Sequence, residues 1–202
     1  CAGNIIYNVS IIGGSAFAVG ALGKDAQPYI DWMKSKNITT EFIKTFEDSY
    51  TAQAYITTDL NANQITTFHP GAMQYSNLLK FFTEKSLWTV MNDYEFKMFN
   101  EVTGLTASDI SKNNKNLIIT DGENGSSIFT SSEKLIIPTP KVNDPKDPTG
   151  CGDAYRAGII YGIMNDMPLE KIGELSSKLG ALKVKSFGTQ NHKIDDEIKK
   201  LL

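Results

Sequence analysis

The chain has 202 residues, a length typical of one domain, and its 20 Lys and Arg against 23 Asp and Glu give a net charge of −3. This weakly acidic balance provides no general electrostatic basis for binding nucleic acid or an anionic membrane surface. Hydrophobic residues at 41% exclude disorder for most of the chain, and two cysteines, Cys1 and Cys151, are too few for a disulfide framework or a tetrahedral zinc site.

The N-terminal segment lacks an initiating Met and carries no charge through residue 23, which leaves three interpretations. A membrane span is disfavoured because polar residues such as Asn4 and Asn8 interrupt the apolar run, which also has no basic flank. A lipid-modified Cys1 would suit an exported protein, yet nothing else in the sequence indicates export. We favour a buried helix and strand from the interior of a cytoplasmic protein, and we expect that the start of the chain is missing before Cys1.

The first elements follow from hydrophobic periodicity. A helix is predicted by apolar residues at helical spacing, namely Ala2, Ile5, Ile6, Val9 and Ile12, and it is ended by Gly13-Gly14. A short buried strand is expected at 16–19 and a second helix at 28–36. Both helices and the strand fit an α/β pattern.

A β-hairpin is predicted next, because β-branched residues alternate over 51–58 and again over 64–68. The Asn-Ala-Asn sequence at 61–63 predicts the turn between the two strands. A hairpin inserted into an α/β pattern often serves as a flap. We therefore expect residues 38–69 to form a small β lid.

The regular order fails after the hairpin, where residues 74–77 lead directly into a predicted helix at 78–82. A parallel α/β fold returns to its sheet through a strand, so we expect a segment near 76–77 to be missing from the sequence. Alternation then resumes, with strands predicted at 88–91, 117–120, 126–130 and 135–137 and helices at 95–101, 153–164, 169–185 and from 195 onward. Residues 1–37 and 70–202 together predict an α/β core with a mainly parallel sheet.

A glycine-rich turn before a helix is the strongest chemical signal. Gly150 and Gly152 flank Cys151, and the first turn of the following helix holds Asp153. Amide groups at a helix start point outward, and glycines let an anion approach the backbone, so this turn is suited to binding a phosphoryl group. Asp153 beside it could accept a proton. The structural alternative is that Asp153 only favours the helix dipole and the glycines only form a turn.

Other enzyme classes lack their motifs. The sequence contains no Gly-x-x-x-x-Gly-Lys-Ser/Thr, which excludes a P-loop kinase, and no Gly-x-Gly-x-x-Gly after a strand, which argues against a dinucleotide enzyme. His69 and His192 are far apart in sequence and lack partnered cysteines or paired acids, so a metal hydrolase is disfavoured.

Four motifs in order resemble those of the ribokinase-like (PfkB-type) carbohydrate and nucleoside kinases. They are Gly3-Asn4, similar to the end of the N-terminal substrate motif, the Asn-x-x-Glu motif at 92–95, the strand and glycine turn at 120–125, and Asp-Pro-Thr-Gly-Cys-Gly-Asp at 147–153. The last resembles the family signature Asp-Thr-x-Gly-Ala-Gly-Asp and departs from it slightly at Pro148 and Cys151, without removing an amide from the turn. The resemblance implies a three-layer α/β sandwich with a mainly parallel central sheet and a small β-hairpin lid. It covers a fold about a third longer than this chain.

The resemblance implies transfer of the γ-phosphate of ATP to a primary alcohol, which is mainly positioning and electrostatic work. The match to the family signature implies that Asp153 is the catalytic base and that the amides of Gly150, Cys151 and Gly152 form an anion hole. Gly3 and Asn4 would bind the acceptor. Thr120, Gly122 and Gly125 would border ATP, unless they form only an ordinary strand and turn. Asn92 and Glu95 would order Mg²⁺ through water, unless Glu95 is simply an exposed residue of a first helical turn.

A monovalent cation site is a further implication, because the residues matching Asp147, Thr149 and the loop around Gly188 help to bind K⁺ in activated relatives. Arg156, one turn into the helix, either contacts phosphate or pairs with an acid, and we favour the pairing. The thiol of Cys151 lies near a helix start, which would favour reactivity.

The acceptor is predicted from the hairpin region, which resembles the bacterial adenosine-kinase-like branch over Thr51–Ala54 and Gln64–Met73. The lid lies over the acceptor in this family, so we expect adenosine, with a sugar such as ribose or fructose as the alternative substrate. A non-catalytic ligand-binding relative is the third possibility, although it would have no need of Asp153. The lid also predicts a homodimer formed through its exposed strands.

Overall fold

The computed structural model describes residues 2–58, 64–72, 86–112 and 115–202. The chain divides into two compact units, Cys1–Leu78 and Leu79–Leu202. The predicted turn at 61–63, the helix at 78–82 and the break near 76–77 lie outside the described residues. Within the described part of the chain, no helix has the length and apolarity that a bilayer span requires.

The first unit begins with a helix and a pair of parallel strands. Its elements in chain order are α1 (Ala2–Ile11), β1 (Gly20–Gly23), α2 (Gln27–Ser35), β2 (Ile43–Phe46), β3 (Gln53–Thr58) and β4 (Gln64–His69). The two helices confirm the helical spacing read from the sequence, and Gly13 ends the first with a φ of +81°. A small core forms where Ile6, Met33 and Ile38 are buried together.

Strand β1 does not lie where the sequence predicted it. The apolar segment 16–19 forms no strand, and Phe17 and Val19 are 61% and 78% exposed. The strand instead occupies the glycine-containing Gly20–Gly23, which pairs in parallel with β2. Backbone pairing with β2 therefore decided this strand, against the local apolar signal. Strand β2 falls inside the predicted lid range 38–69 but pairs with β1.

Strands β3 and β4 form the predicted antiparallel hairpin. Their register runs from Gln53 opposite His69 to Thr58 opposite Gln64. Large apolar side chains on this two-stranded sheet remain exposed, namely Tyr55, Ile56, Ile65 and Phe68. The hairpin is thus a separate β element whose large apolar side chains are exposed among the described residues, and its role as a lid stays a prediction.

The second unit is built around a four-stranded sheet. Its elements are β5 (Trp88–Asn92), α3 (Asp93–Thr103), α4 (Ala107–Ile110), β6 (Asn116–Thr120), β7 (Ser126–Phe129), β8 (Lys134–Ile137), α5 (Cys151–Met164), α6 (Leu169–Lys183) and α7 (Asp196–Lys199). The strands lie in the order β5-β6-β7-β8; β5 and β6 are parallel, while β7 and β8 continue as an antiparallel meander. This sheet is therefore mixed, with two of its three strand pairs antiparallel, whereas the sequence predicted a mainly parallel sheet. Every predicted element from residue 88 onward is present, and α4 is an addition.

Helices α5 and α6 pack with their backbones unusually close. A Cβ atom added to Gly158 would lie 2.6 Å from the Ser176 Cα, and one added to Gly162 would lie 2.6 Å from the Ile172 Cγ1. Tyr155 and Ile159 of α5 bury their side chains in the same core as Ile118 and Ile128 of the sheet. The start of α5, which carries the glycine-rich turn, is consequently fixed against both the sheet and α6.

Candidate active site

The glycine-rich turn forms the predicted start of helix α5. Gly150 precedes the helix with a φ of +87°, in the left-handed region, and a Cβ at this position would lie 3.0 Å from the Thr189 Cγ2. Asp153, in the first helical turn, is buried at 8% exposure. The Cys151 amide donates to the Pro148 carbonyl at 3.1 Å, so an anion bound there would share this N–H donor with that carbonyl. The turn has the geometry of an anion-binding helix start.

Asp147 braces this turn from the side. One carboxylate oxygen accepts from the Thr149 amide at 2.9 Å and the other from the Gly188 amide at 2.8 Å. Burial acts to raise the pKa of the Asp147 carboxyl, but the hydrogen bonds from Thr149 and Gly188 and the nearby Lys183 charge outweigh burial and hold that pKa below its usual value. Asp147, Thr149 and Gly188, which the sequence analysis grouped as a cation site, are therefore brought together.

A pocket of about 660 Å³ joins the turn to the predicted nucleotide edge. Its lining includes Thr120, Gly122 and Gly125 of the predicted nucleotide edge as well as Cys151 and Gly152 of the turn. This volume lies within the range of small-molecule and cofactor sites. Five of the residues predicted from two distant motifs thus border one cavity. Gly150 and Asp153 are not among its lining residues.

Asn92 and Glu95 form a complete capping box at the start of α3. The Asn92 side chain accepts from the Glu95 amide at 2.6 Å, and the Glu95 carboxylate accepts from the Asn92 amide at 2.8 Å. Asn92 also lies opposite Thr120 in the parallel register, at the carboxyl end of its strand. Helix capping therefore explains the Asn-x-x-Glu spacing by itself. The capping box also lies next to the predicted nucleotide edge.

Arg156 connects the two helix starts. Its Nη2 atom donates to the Val90 carbonyl at 3.2 Å and lies 3.8 Å from the Glu95 Oε2. Its Nη1 atom lies 3.1 Å from the position of a Cβ on Gly152. The acid partner that the sequence analysis favoured for Arg156 is Glu95.

Cys151 does not have the environment of a reactive thiol. Burial raises the pKa of the Cys151 thiol above its usual value; the Lys183 charge opposes this shift and the Asp147 carboxylate adds to it. Burial therefore acts against the reactivity expected from proximity to the helix start, and it outweighs the favourable Lys183 charge.

Gly3 and Asn4 lie in the first turn of α1, in the first unit, whereas the residues predicted for phosphoryl transfer belong to the second. The Tyr29 hydroxyl occupies the position that a Cβ on Gly3 would take. The Asn4 carbonyl accepts from the Asn8 side chain at 2.8 Å. The glycine is thus explained by packing against α2, and the acceptor-binding role of both residues stays a prediction.

The donor set limits which metals the chain could hold by itself. Among residues 2–58, 64–72, 86–112 and 115–202, no group of three or more His, Cys, Asp or Glu side chains is placed to bind a metal ion. Mg²⁺ in kinases is held through one or two carboxylates together with phosphates and water. A single exposed carboxylate such as Glu95 fits an outer role of that kind.

The far wall of the pocket was missed by the sequence analysis. Ser177 and Gly180 of helix α6 line the pocket, and so does Val184, which directly follows that helix. Tyr155 of α5 also belongs to the lining. The Tyr155 hydroxyl lies 2.7 Å from the Ser126 Oγ, and burial raises its pKa. The small size of Gly180, one turn from Ser177, was the available signal, but it is indistinguishable in sequence from ordinary helix packing.

Comparisons of the sequence identify its relatives. The profile of the pfkB family of carbohydrate kinases matches residues 83–196, more than half of the chain. A nucleoside kinase of Thermoplasma acidophilum is 27% identical over 217 residues, covering 86% of this chain and 72% of that protein. A nucleoside kinase of Methanocaldococcus jannaschii is 32% identical over 133 residues, covering 64% of this chain and 44% of that protein.

Structural comparison leads to the same family. The Burkholderia thailandensis nucleoside kinase, solved in complex with inosine, superposes with a TM-score of 0.88 at 33% identity and covers all of this chain and 82% of its own. A ribokinase of Thermotoga maritima superposes on this chain with a TM-score of 0.80 at 16% identity, which shows that the chain has the ribokinase-like α/β fold. The family profile and this 33% relative together establish that the chain belongs to the pfkB family of carbohydrate kinases.

Proposed function

We propose that this chain is a nucleoside kinase that transfers the γ-phosphate of ATP to the 5′-hydroxyl of a nucleoside, with adenosine as the preferred acceptor. The observation that carries the proposal is the pocket that joins the glycine turn at Gly122 and Gly125 to the helix start at Cys151 and Gly152. A nucleotide with its base end at the first and its phosphates at the second would span this cavity. The helix start would then face the transferred group.

Asp153 is the proposed base. Asp153 directly follows the glycine-rich turn at 147–152, which we call the anion turn. Its carboxylate would accept the proton of the acceptor hydroxyl as that oxygen attacks phosphorus. The Gly150 and Gly152 amides, with a shared contribution from Cys151, would stabilise the negative charge on the transferred oxygens. ATP supplies the phosphoryl group, and its use is supported by a Burkholderia thailandensis nucleoside kinase structure described as a complex with ADP and inosine.

Glu95 is the proposed outer ligand of Mg²⁺. Its carboxylate already caps α3 and faces Arg156 at 3.8 Å, so it would act through water rather than by direct coordination. The exposed fraction of its side chain, 52%, leaves it accessible to a hydrated ion. Mg²⁺ would neutralise charge on the phosphates.

The acceptor is inferred from the relatives and the hairpin sequence. The similarity of this chain to nucleoside kinases favours a nucleoside as the acceptor, and one of those kinases was solved in complex with inosine. The hairpin resemblance favours adenosine. A sugar is the second candidate, because the family profile that matches the chain is that of carbohydrate kinases.

The test measures ADP release with adenosine, inosine, ribose, fructose and no acceptor. We expect turnover with adenosine above inosine, and little with the sugars. Turnover with a sugar and none with either nucleoside would overturn the nucleoside assignment. Binding of adenosine, seen as a raised melting temperature, without turnover on any acceptor would identify a non-catalytic relative.

The role of Asp153 is tested with Asp153→Asn, which we expect to lower turnover by about 100- to 10,000-fold, the contribution typical of a general base. Glu170→Gln is the matched control, since Glu170 is an exposed acid in the first turn of α6. If Asp153 only favoured the helix dipole, both variants would lose a little stability and keep their turnover.

A further inference from the structure

A lysine ammonium lies inside the group of residues that the resemblance assigned to K⁺. Lys183, at the end of α6, is fully buried, with 0% of its side chain exposed. Its Nζ donates to the Asp147 carbonyl at 2.7 Å and to the Ser186 carbonyl at 3.0 Å. The same atom lies 3.9 Å from the Asp147 carboxylate.

These contacts are of a kind that would also suit a bound alkali cation. Carbonyl oxygens from two loop segments and one carboxylate form an acceptor set that suits a single positive charge. Burying an ammonium is costly unless it is paired and hydrogen-bonded, and here the pairing is supplied by Asp147. The residues therefore do not fit a K⁺ ion, because its place next to Asp147 is filled by the side chain of Lys183.

The ammonium also holds the anion turn. Asp147 begins the segment that runs through Gly150 to the start of α5, and Lys183 binds its carbonyl while the Gly188 amide binds its carboxylate. Ser186 and Gly188 belong to the loop that follows α6. Lys183 thus ties the beginning of the anion turn to that loop across 36 residues of sequence.

We propose that the Lys183 ammonium is the resident cation of this site, so that the protein needs no monovalent metal ion to position the anion turn. Lys183 is a positioning residue, acting through Asp147 on the amides that follow it. This extends the proposed kinase function, but it makes a separate claim about cation dependence.

The first experiment uses the unaltered protein and compares K⁺ with tetramethylammonium, at equal ionic strength, as the only monovalent cation. We expect the melting temperature and the rate of ADP release to be the same in both. A melting temperature raised specifically by K⁺, or ADP release stimulated by K⁺, would overturn the proposal. The melting measurement needs no acceptor, so it remains decisive if the proposed nucleoside kinase activity fails.

The second experiment removes the ammonium. Lys183→Ala should lower turnover by on the order of 100-fold through misplacement of the anion turn, and K⁺ or NH₄⁺ should restore part of the turnover and of the melting temperature. Lys183→Met, which fills the space without charge, should not be restored by either ion. Lys171→Ala is the control, because Lys171 is on the same helix and forms an exposed ion pair with Glu174. Full activity of Lys183→Ala without K⁺ would contradict the proposal.

Discussion

The anion turn and the lid hairpin are held by different kinds of interaction. The turn at 147–152 is fixed by hydrogen bonds from residues distant in sequence, since Lys183 and Gly188 both bind Asp147. The hairpin of β3 and β4 is held by a ladder between neighbouring strands and leaves Ile56 and Ile65 exposed. Chemistry that depends on backbone amides requires the first arrangement, because the amides must stay in place, whereas a lid that meets ligands or partners is compatible with the second.

The comparison is tested most strongly at Gly150. Gly150→Val places a branched side chain in the left-handed region, within 3.0 Å of Thr189, and should reduce turnover by on the order of 100-fold or more as the turn shifts. The same change should lower the free energy of unfolding by about 1–3 kcal/mol. Both effects are measured by ADP release and by denaturant unfolding.

Gly104→Val separates the loss of stability caused by backbone strain from the loss of turnover caused by a displaced anion turn. Gly104 also has a left-handed φ, +71°, but it ends α3, and a Cβ there would meet nothing within 4 Å. We expect a comparable loss of stability and unchanged turnover. Equal turnover in the two variants would show that the fixed geometry of the anion turn does not matter for activity.

The same contrast explains what the sequence could predict. The helix start at 150–153 and the capping box at 92–95 are local patterns, in which residue type and spacing determine the structure. The pocket wall from α6 and the bond from Lys183 to Asp147 depend on contacts across the fold, and no local pattern marks them. Lys183 appears in sequence as one more lysine near a helix C-terminus, where a solvated side chain is the ordinary expectation.

Strand β1 shows the opposite error, in which a local signal was misleading. The apolar run at 16–19 predicted a buried strand, yet the strand formed at Gly20–Gly23 by pairing with β2. Glycines disfavour a strand when judged alone, so only knowledge of the partner strand would have corrected the prediction. Long-range pairing thus decided both the misplaced strand and the missed lysine.

The next largest effect is expected at Glu95. Among the described residues, a second capping box, at Thr106 and Asp109, allows a matched comparison. Glu95→Gln keeps the cap of α3 but removes the charge proposed to order hydrated Mg²⁺. We expect a loss in turnover at limiting Mg²⁺ of about 10- to 100-fold, as for other outer ligands of metal sites, with little change in melting temperature.

Asp109→Asn is the matched control for Glu95. Asp109 occupies the same third position in the capping box of α4, where its carboxylate pairs with Lys112. This variant should lose a small amount of stability and no activity. If Glu95→Gln behaved in the same way, its motif would have only the capping role.

For the lid hairpin, the predicted effect is a change in oligomeric state. Ile65 on β4 is 76% exposed on a two-stranded sheet, a surface that a second copy of the chain could cover. Ile65→Lys should convert the predicted dimer to a monomer, as measured by light scattering. Ile136→Lys, at a similarly exposed position on β8, should leave the mass unchanged. A monomer in the unaltered protein at high concentration would refute the dimer.

The smallest expected effect is a pH dependence of stability that arises at His192, in the second unit. Burial lowers the pKa of His192, and the Lys183 charge lowers it further, so the folded protein takes up a proton on this imidazole only at a lower pH than the unfolded chain does. The unfolded chain takes up the proton near the ordinary value of 6.5, so stability is greatest above that pH and declines as pH falls through it. The melting temperature should drop by a few degrees between neutral and mildly acidic pH.

His192→Asn should flatten this part of the melting profile, because the side chain no longer titrates. His69→Asn is the control, since His69 is exposed at the end of β4 in the hairpin and its replacement should leave the slope unchanged. A flattened profile in His192→Asn alone would assign this pH dependence to the imidazole buried beside the Lys183 charge. An unaltered slope in His192→Asn, or a flattened one in His69→Asn, would place the responsible group elsewhere.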